Sequence, residues 1–235
     1  MAAIQYGQHN CVIQNCEFSW GGGGSQILEN GRIRGRMGDA LGGSWASGLT
    51  VSGNYFHDIF SHALIIEGNY DAALGSVKNV RVSDNLMERC DGINVVNEGG
   101  AFEGLVISDN IFTEAGLSWS ARQILRTDMW TGVEWYNFIR IRQDRVFTDC
   151  AITGNAFYYP LQFFLYGSVA EDNLPKMSDN RFYAAQHTYG FACWAYAESG
   201  MGYESVALSR AKTFLRETLH DETGTVTIAK AQQGG

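Results

Sequence analysis

Ser52-Gly53-Asn54-Tyr55-Phe56 returns along the chain with small changes. It recurs as Ser83-Asp84-Asn85-Leu86-Met87, Ser108-Asp109-Asn110-Ile111-Phe112, Thr153-Gly154-Asn155-Ala156-Phe157 and Ser178-Asp179-Asn180-Arg181-Phe182. An earlier copy, Gln14-Asn15-Cys16-Glu17-Phe18, carries Cys16 where the others have Asn. The steps between these positions are 38, 31, 25, 45 and 25 residues. A strict helical repeat would hold its period. A solenoid tolerates loops of unequal length, so a constant phrase at variable spacing marks a solenoid.

Alternating apolar stretches flank the phrase. Leu49-Thr50-Val51, Val80-Arg81-Val82 and Leu105-Val106-Ile107 precede it, and Ala63-Leu64-Ile65-Ile66, Ile93-Asn94-Val95-Val96 and Phe164-Leu165 follow. The period of two and the β-branched content predict strands. The Asn is expected to turn the chain in a left-handed conformation between two strands of one coil. Its amide is expected to bond the coils above and below, as in stacked Asn ladders. The Phe or Met two residues later is expected to point inward and stack along the axis. These features predict an all-β parallel β-helix.

Composition agrees. The 235 residues include 28 Gly and only 2 Pro, which suits many tight turns between hydrogen-bonded strands. The net charge of −8 disfavours a nucleic-acid or anionic-membrane partner. No run of 18 apolar residues is long enough to cross a bilayer. Met1 to Asn10 lacks a basic region followed by an apolar stretch, so no signal peptide is expected there. Cys11, Cys16, Cys90, Cys150 and Cys193 form no paired spacing or Cys/His cluster. No structural zinc, other metal or cofactor is therefore expected, and the thiols read as small buried hydrophobes.

The repeated phrase resembles that of right-handed parallel β-helix proteins of the pectate-lyase-like superfamily, over residues 10 to 200. Arg36 to Gly68 is similar to a segment of bacterial polysaccharide-degrading β-helix glycosidases of the α-L-fucosidase and xylanase types. The resemblance implies a glycoside hydrolase acting on a plant or bacterial polysaccharide in an extracellular or periplasmic setting. The chain departs from that pattern in two places. Gly42 stands where relatives carry an acid, and Ser61 where they tend to carry Asp. A shifted catalytic pair, a changed substrate and a non-catalytic member all fit these departures.

The β-helix is expected over residues 1 to 202, with either earlier coils ahead of Ile4 or a partner covering the open first edge, and a C-terminal helix and tail over 203 to 235. Ala207, Leu208, Ala211, Phe214, Leu215 and Leu219 recur at helical spacing, which predicts a capping helix over Tyr203 to His220. Thr225 to Ile228 reads as a short strand.

Function on such a scaffold belongs to outward faces and loops. Two-carboxylate hydrolysis needs acids roughly 5 to 9.5 Å apart, which equivalent positions one or two coils apart supply. Asp39, Asp58, Glu67, Asp91 and Glu98 are the candidate acids, with Asp39, Glu67 and Asp91 the expected catalytic set. Trp20, Arg36, Trp45, His57, His62 and Trp130 are the expected substrate-binding residues, because aromatics stack on sugar rings and Arg grips carboxylates. The expected partner is a polysaccharide or oligosaccharide. A non-catalytic binding module, a structural segment such as that of a phage fibre, and a polysaccharide lyase are the rivals on the same fold.

Overall fold

The computed structural model describes residues 4–6, 9–21, 24–27, 33–36, 38–44, 47–68, 76–96, 101–116, 137–142, 146–167, 173–195 and 203–229. Within them the chain winds as a parallel β-helix. One sheet stacks Val12–Gln14, Thr50–Ser52, Arg81–Ser83, Val106–Ser108, Ala151–Thr153 and Lys176–Ser178. A second stacks Glu17–Ser19, Tyr55–His57, Leu86–Glu88, Ile111–Thr113, Ala156–Tyr158, Arg181–Ala184 and Thr225–Ile228. A third runs from Ile4–Tyr6 through Leu41–Ser44, His62–Glu67, Asp91–Val96, Ile139–Arg142 and Leu165–Gly167 to Ala192–Ala195. A narrow fourth sheet holds Val77–Lys78, Phe102–Glu103 and Phe147–Thr148.

The register is constant from coil to coil. Val51 faces Val82, which faces Ile107, and Phe56 faces Met87, which faces Phe112. Equal side chains therefore stack along the axis. Phe18 lies on Phe56 at 4.9 Å, and Phe112, Phe157 and Phe182 follow at 4.8 Å steps. Offset ring stacking adds to burial at each step.

Asn54, Asn85, Asn110, Asn155 and Asn180 form a buried ladder. Each Oδ1 accepts from the backbone N–H and, where the preceding coil has Asn, also from the amide of that residue, at 2.9–3.1 Å. Each Nδ2 also donates to a backbone carbonyl of the preceding coil, as Asn85 does to Val51 at 3.0 Å. The ladder has a direction, and its ends respect it. Cys16 gives only its backbone N–H to Asn54. At the other end Asp221, an acceptor only, receives the Asn180 amide at 3.4 Å and the N–H of Gly224 at 2.7 Å.

The left-handed turn does not fall on the ladder Asn, as the sequence led us to expect. It falls one residue earlier, on Asn15, Gly53, Asp84, Asp109, Gly154 and Asp179. The reason is directional: the Asn must aim its amide inward, so its neighbour makes the bend and faces water. At Gly154 (φ +67) a Cβ would sit 2.6 Å from Oδ1 of Asp109 on the coil before.

The C-terminal helix is shorter than its apolar spacing predicts. Tyr203–Val206 is a strand, antiparallel to Ala192–Ala195, because the last coil of the third sheet offers a free edge. A 3-10 turn at Leu208–Arg210 then leads into the helix Ala211–Glu217, which buries Ala211, Phe214 and Leu215. Phe214 meets Trp194 at 5.5 Å, so the helix covers the last coil's core. Thr225–Ile228 is a strand, as expected, and pairs with Arg181–Ala184. All five cysteines are free thiols; Cys90, Cys150 and Cys193 are buried, while Cys16 is exposed.

Candidate functional site

Three corners of the coil each need a left-handed residue. At the corner before the first sheet these are Asn10, Gly48, Asn79, Gly104 and Asp149. At the ladder corner every one is again Asn, Asp or Gly. These residue types enter that conformation at least cost. The corner that follows the second sheet breaks the rule. Its left-handed residues are Trp20 (φ 55), Asp58 (φ 52), Arg89 (φ 50), Glu114 (φ 59) and Tyr159 (φ 55). Consecutive rungs tie them together: the N–H of Trp20 donates to His57, that of Asp58 to Glu88, that of Arg89 to Thr113 and that of Glu114 to Tyr158.

This column is exposed at both ends. Trp20 is 66% accessible and Tyr159 39%. Four rungs separate them, about 19 Å. Tyr158 stacks on Tyr183 at 4.5 Å on the adjoining sheet face, extending the aromatic surface.

Between the aromatics lies a charged network. Arg89 donates from Nε to Oδ1 of Asp58 and from Nη2 to Oδ2, each at 2.8 Å. Its Nη1 donates to Oε1 of Glu88 and lies 3.9 Å from Glu114. Tyr55 donates its hydroxyl to the other oxygen of Glu88. His57 bridges two coils, with Nδ1 3.0 Å from Asp58 and Nε2 3.0 Å from Glu17. The Arg89 guanidinium holds the Asp58 carboxyl down at about 2, against the opposing effect of burial. Burial works against the charged form of His57, but its hydrogen bonds to Glu17 and Asp58 prevail and raise its pKa. The Glu88 hydrogen bond raises the Tyr55 phenol.

A second group lies where the third sheet begins. Oδ1 of Asp39 accepts from the backbone N–H of His62 at 3.1 Å and meets its Nδ1 at 3.2 Å. Burial pushes Asp39 up, but the hydrogen bonds of His62 and Ser61 outweigh it and leave the carboxyl lowered. Ser61 Oγ also addresses Nδ1, at 3.0 Å. A nucleophile relay needs the hydroxyl and the acid on opposite ring nitrogens. Here both meet the same nitrogen and Ser61 is fully buried, so the trio orients an imidazole and is no triad.

The expected catalytic acids are divided by this geometry. Asp91 pairs with His62 on the next rung, so Asp39, His62 and Asp91 follow one another along the axis. Glu67 ends the same strand as His62, five residues on, about 16 Å away along it. Of the expected binding residues, Trp20 and His57 join the corner column, and His62 joins Asp39. Arg36 ends a strand of the hairpin Gly24–Ile27 with Ile33–Arg36, opposite Gly24. Trp45 and Trp130, like Glu98, lie outside the described residues.

Arg89, Glu88, Glu114 and Tyr159 were not anticipated. The sequence holds a signal for them. Trp20, Asp58, Arg89, Glu114 and Tyr159 each stand four residues after a ladder position. Extending the repeated phrase by two residues lines them up. Among the described residues no group of three or more His, Cys, Asp and Glu side chains is arranged to hold a metal ion. No family model, curated protein or solved structure matches the chain.

Proposed function

We propose that this protein is a carbohydrate-active β-helix that holds an oligosaccharide along the column from Trp20 to Tyr159. The observation that carries this reading is the choice of residues at that corner. Bulky side chains in the left-handed region cost of order 1–2 kcal/mol each. The other two corners avoid the cost with Asn, Asp and Gly, while this one keeps Trp20, Arg89, Glu114 and Tyr159. Strain kept in one row and avoided in its equivalents points to function in that row. Exposed aromatic rings at its ends suit the apolar faces of sugar rings, and the carboxylates between them accept hydroxyl hydrogens.

The test is calorimetric titration of the full chain with oligosaccharides of neutral, amine-bearing and acidic type. Binding is expected for at least one class. Trp20→Ala and Tyr159→Ala should each weaken it about 10-fold or more. Tyr189→Ala, at an exposed tyrosine outside the column, should leave it unchanged. Absence of binding to all three classes would overturn the reading.

Hydrolysis is the second reading, motivated by the rung order Asp39, His62, Asp91, in which Asp39 is part-buried and His62 and Asp91 are buried. Two rungs put the acid-bearing backbones about 10 Å apart, near the upper end of inverting separations. The lowered pKa keeps Asp39 ionised, the form a carboxylate base needs. Release of reducing ends from a bound oligosaccharide should then fall about 100-fold or more in Asp39→Asn and in Asp91→Asn. Binding without any release by the parent chain would leave a binding module.

A further inference from the structure

We infer that the oligosaccharide taken by the Trp20–Tyr159 column carries no carboxylates. This rests on the carbohydrate reading above and names the class of sugar. Recognition of a polyuronate needs guanidinium or ammonium groups free to meet its carboxylates. Among the described residues, the cations along this column are already engaged from within. Arg89 spends three of its five N–H donors on its own neighbours, Nε and Nη2 on Asp58 and Nη1 on Glu88, and Nη1 also lies 3.9 Å from Glu114. Both ring nitrogens of His57 face carboxylates, those of Asp58 and Glu17.

The strip thus sets four acids, Glu17, Asp58, Glu88 and Glu114, against one guanidinium and one imidazole. A uronate entering there meets like charge. To gain Arg89 it would have to displace a bidentate partner already seated at 2.8 Å on both nitrogens. Sugar hydroxyls have the opposite fit, since the carboxylate oxygens of Glu17 and Glu114 are acceptors on half-exposed to exposed side chains. A sugar amine meets the same acceptors and gains charge attraction. Arg181 is an exposed cation in the same outward row as Glu17, but it stands at the far end of that row, opposite Ala156 and one coil past the Tyr159 rung.

The experiment titrates the full chain with three oligosaccharides of matched length: a neutral xylan fragment, a deacetylated glucosamine oligomer and an oligogalacturonate. Low and high salt are compared. The oligogalacturonate should bind at least about 30-fold more weakly than the better of the other two. The paired change Glu17→Gln with Glu114→Gln should narrow that gap, and Arg181→Gln should leave it in place. Loss of affinity at high salt marks the amine-bearing sugar as the better ligand, and indifference to salt marks the neutral one. Oligogalacturonate binding as tight as the others would overturn the inference and leave the carbohydrate reading standing. Failure of all three to bind would overturn that reading and the inference with it.

Discussion

Arg89 and Asp58, on successive coils, share two parallel hydrogen bonds of 2.8 Å. The pair joins two rungs at a corner where both backbones are left-handed. The fork of an Arg matches a carboxylate in a way that the point charge of Lys does not. Arg89→Lys should therefore lower stability by about 1 kcal/mol and Arg89→Ala by about 2 kcal/mol, allowing for the part-exposed guanidinium. Urea unfolding measures both. The folded Asp58 titrates at about 2, below its ordinary 3.8. A depressed folded pKa contributes stability above the unfolded value, lost as pH falls through the folded one. The parent chain should thus lose this contribution between about pH 4 and about pH 2, and Asp58→Asn should flatten that part of the profile.

The ladder predicts a larger loss at its centre than at its start. Asn110 takes part in two bonds from Asn85 and three to Asn155 and Val82, all buried. Removing its amide strands buried donors, so Asn110→Ala should cost about 3–5 kcal/mol. Cys16→Ala keeps the one backbone bond to Asn54 and should cost under about 1 kcal/mol. Equal losses in the two variants would refute a directional ladder.

Asp109 and Gly154 form a matched pair across a rung. A Cβ at Gly154 would meet Oδ1 of Asp109 at 2.6 Å, on a backbone with φ +67. Gly154→Ala should destabilise by about 2 kcal/mol, part from the conformation and part from the contact. In the double variant Asp109→Gly with Gly154→Ala the contact vanishes. A double-mutant cycle should then return a coupling of about 0.5–1 kcal/mol.

His57 gives a pH dependence of opposite sign to Asp58. Glu17 and Asp58 face its two ring nitrogens, Tyr55 stacks on it at 4.4 Å, and Glu88 occupies the next rung. The folded pKa is raised above 6.5. Its contribution is therefore complete below about pH 6.5 and is lost as pH rises through the folded value. In the neutral ring one nitrogen becomes an acceptor facing a carboxylate, and Glu17–Ser19 loses its tie. Hydrogen exchange in that strand should quicken on the alkaline side. Glu17→Gln should move the imidazole titration downward by NMR; an unmoved titration would contradict the bridge.

Much of the fold was legible because a β-helix repeats its physics. The Phe stack and the Asn ladder follow from a phrase that returns once per coil. The misplaced turn residue shows the limit of that reading. Gly, Asp and Asn share the phrase, and sequence alone did not say which of two neighbouring positions bends outward. The overlong helix shows another: Ala207 and Leu208 fit a helical pattern, but the open strand edge at Ala192–Ala195 drew Tyr203–Val206 into pairing.

The sequence by itself determined that chains of short strands stack with Asn54, Asn85, Asn110, Asn155 and Asn180 aligned, because burial of an amide is tolerable only where every coil supplies its partner. It also held a signal for the corner column, whose residues stand four beyond the ladder positions from Cys16 to Asn155. Tertiary structure alone decided which charges meet along that column. Arg89 is joined to Asp58 over 31 positions of sequence, and His57 to Glu17 over 40. Such pairings depend on loop lengths that set which residues share a rung, and on charges that meet only when coils stack about 4.8 Å apart. The same stacking split the expected acids, leaving Asp39 and Asp91 on either side of His62 and Glu67 at the far end of its strand.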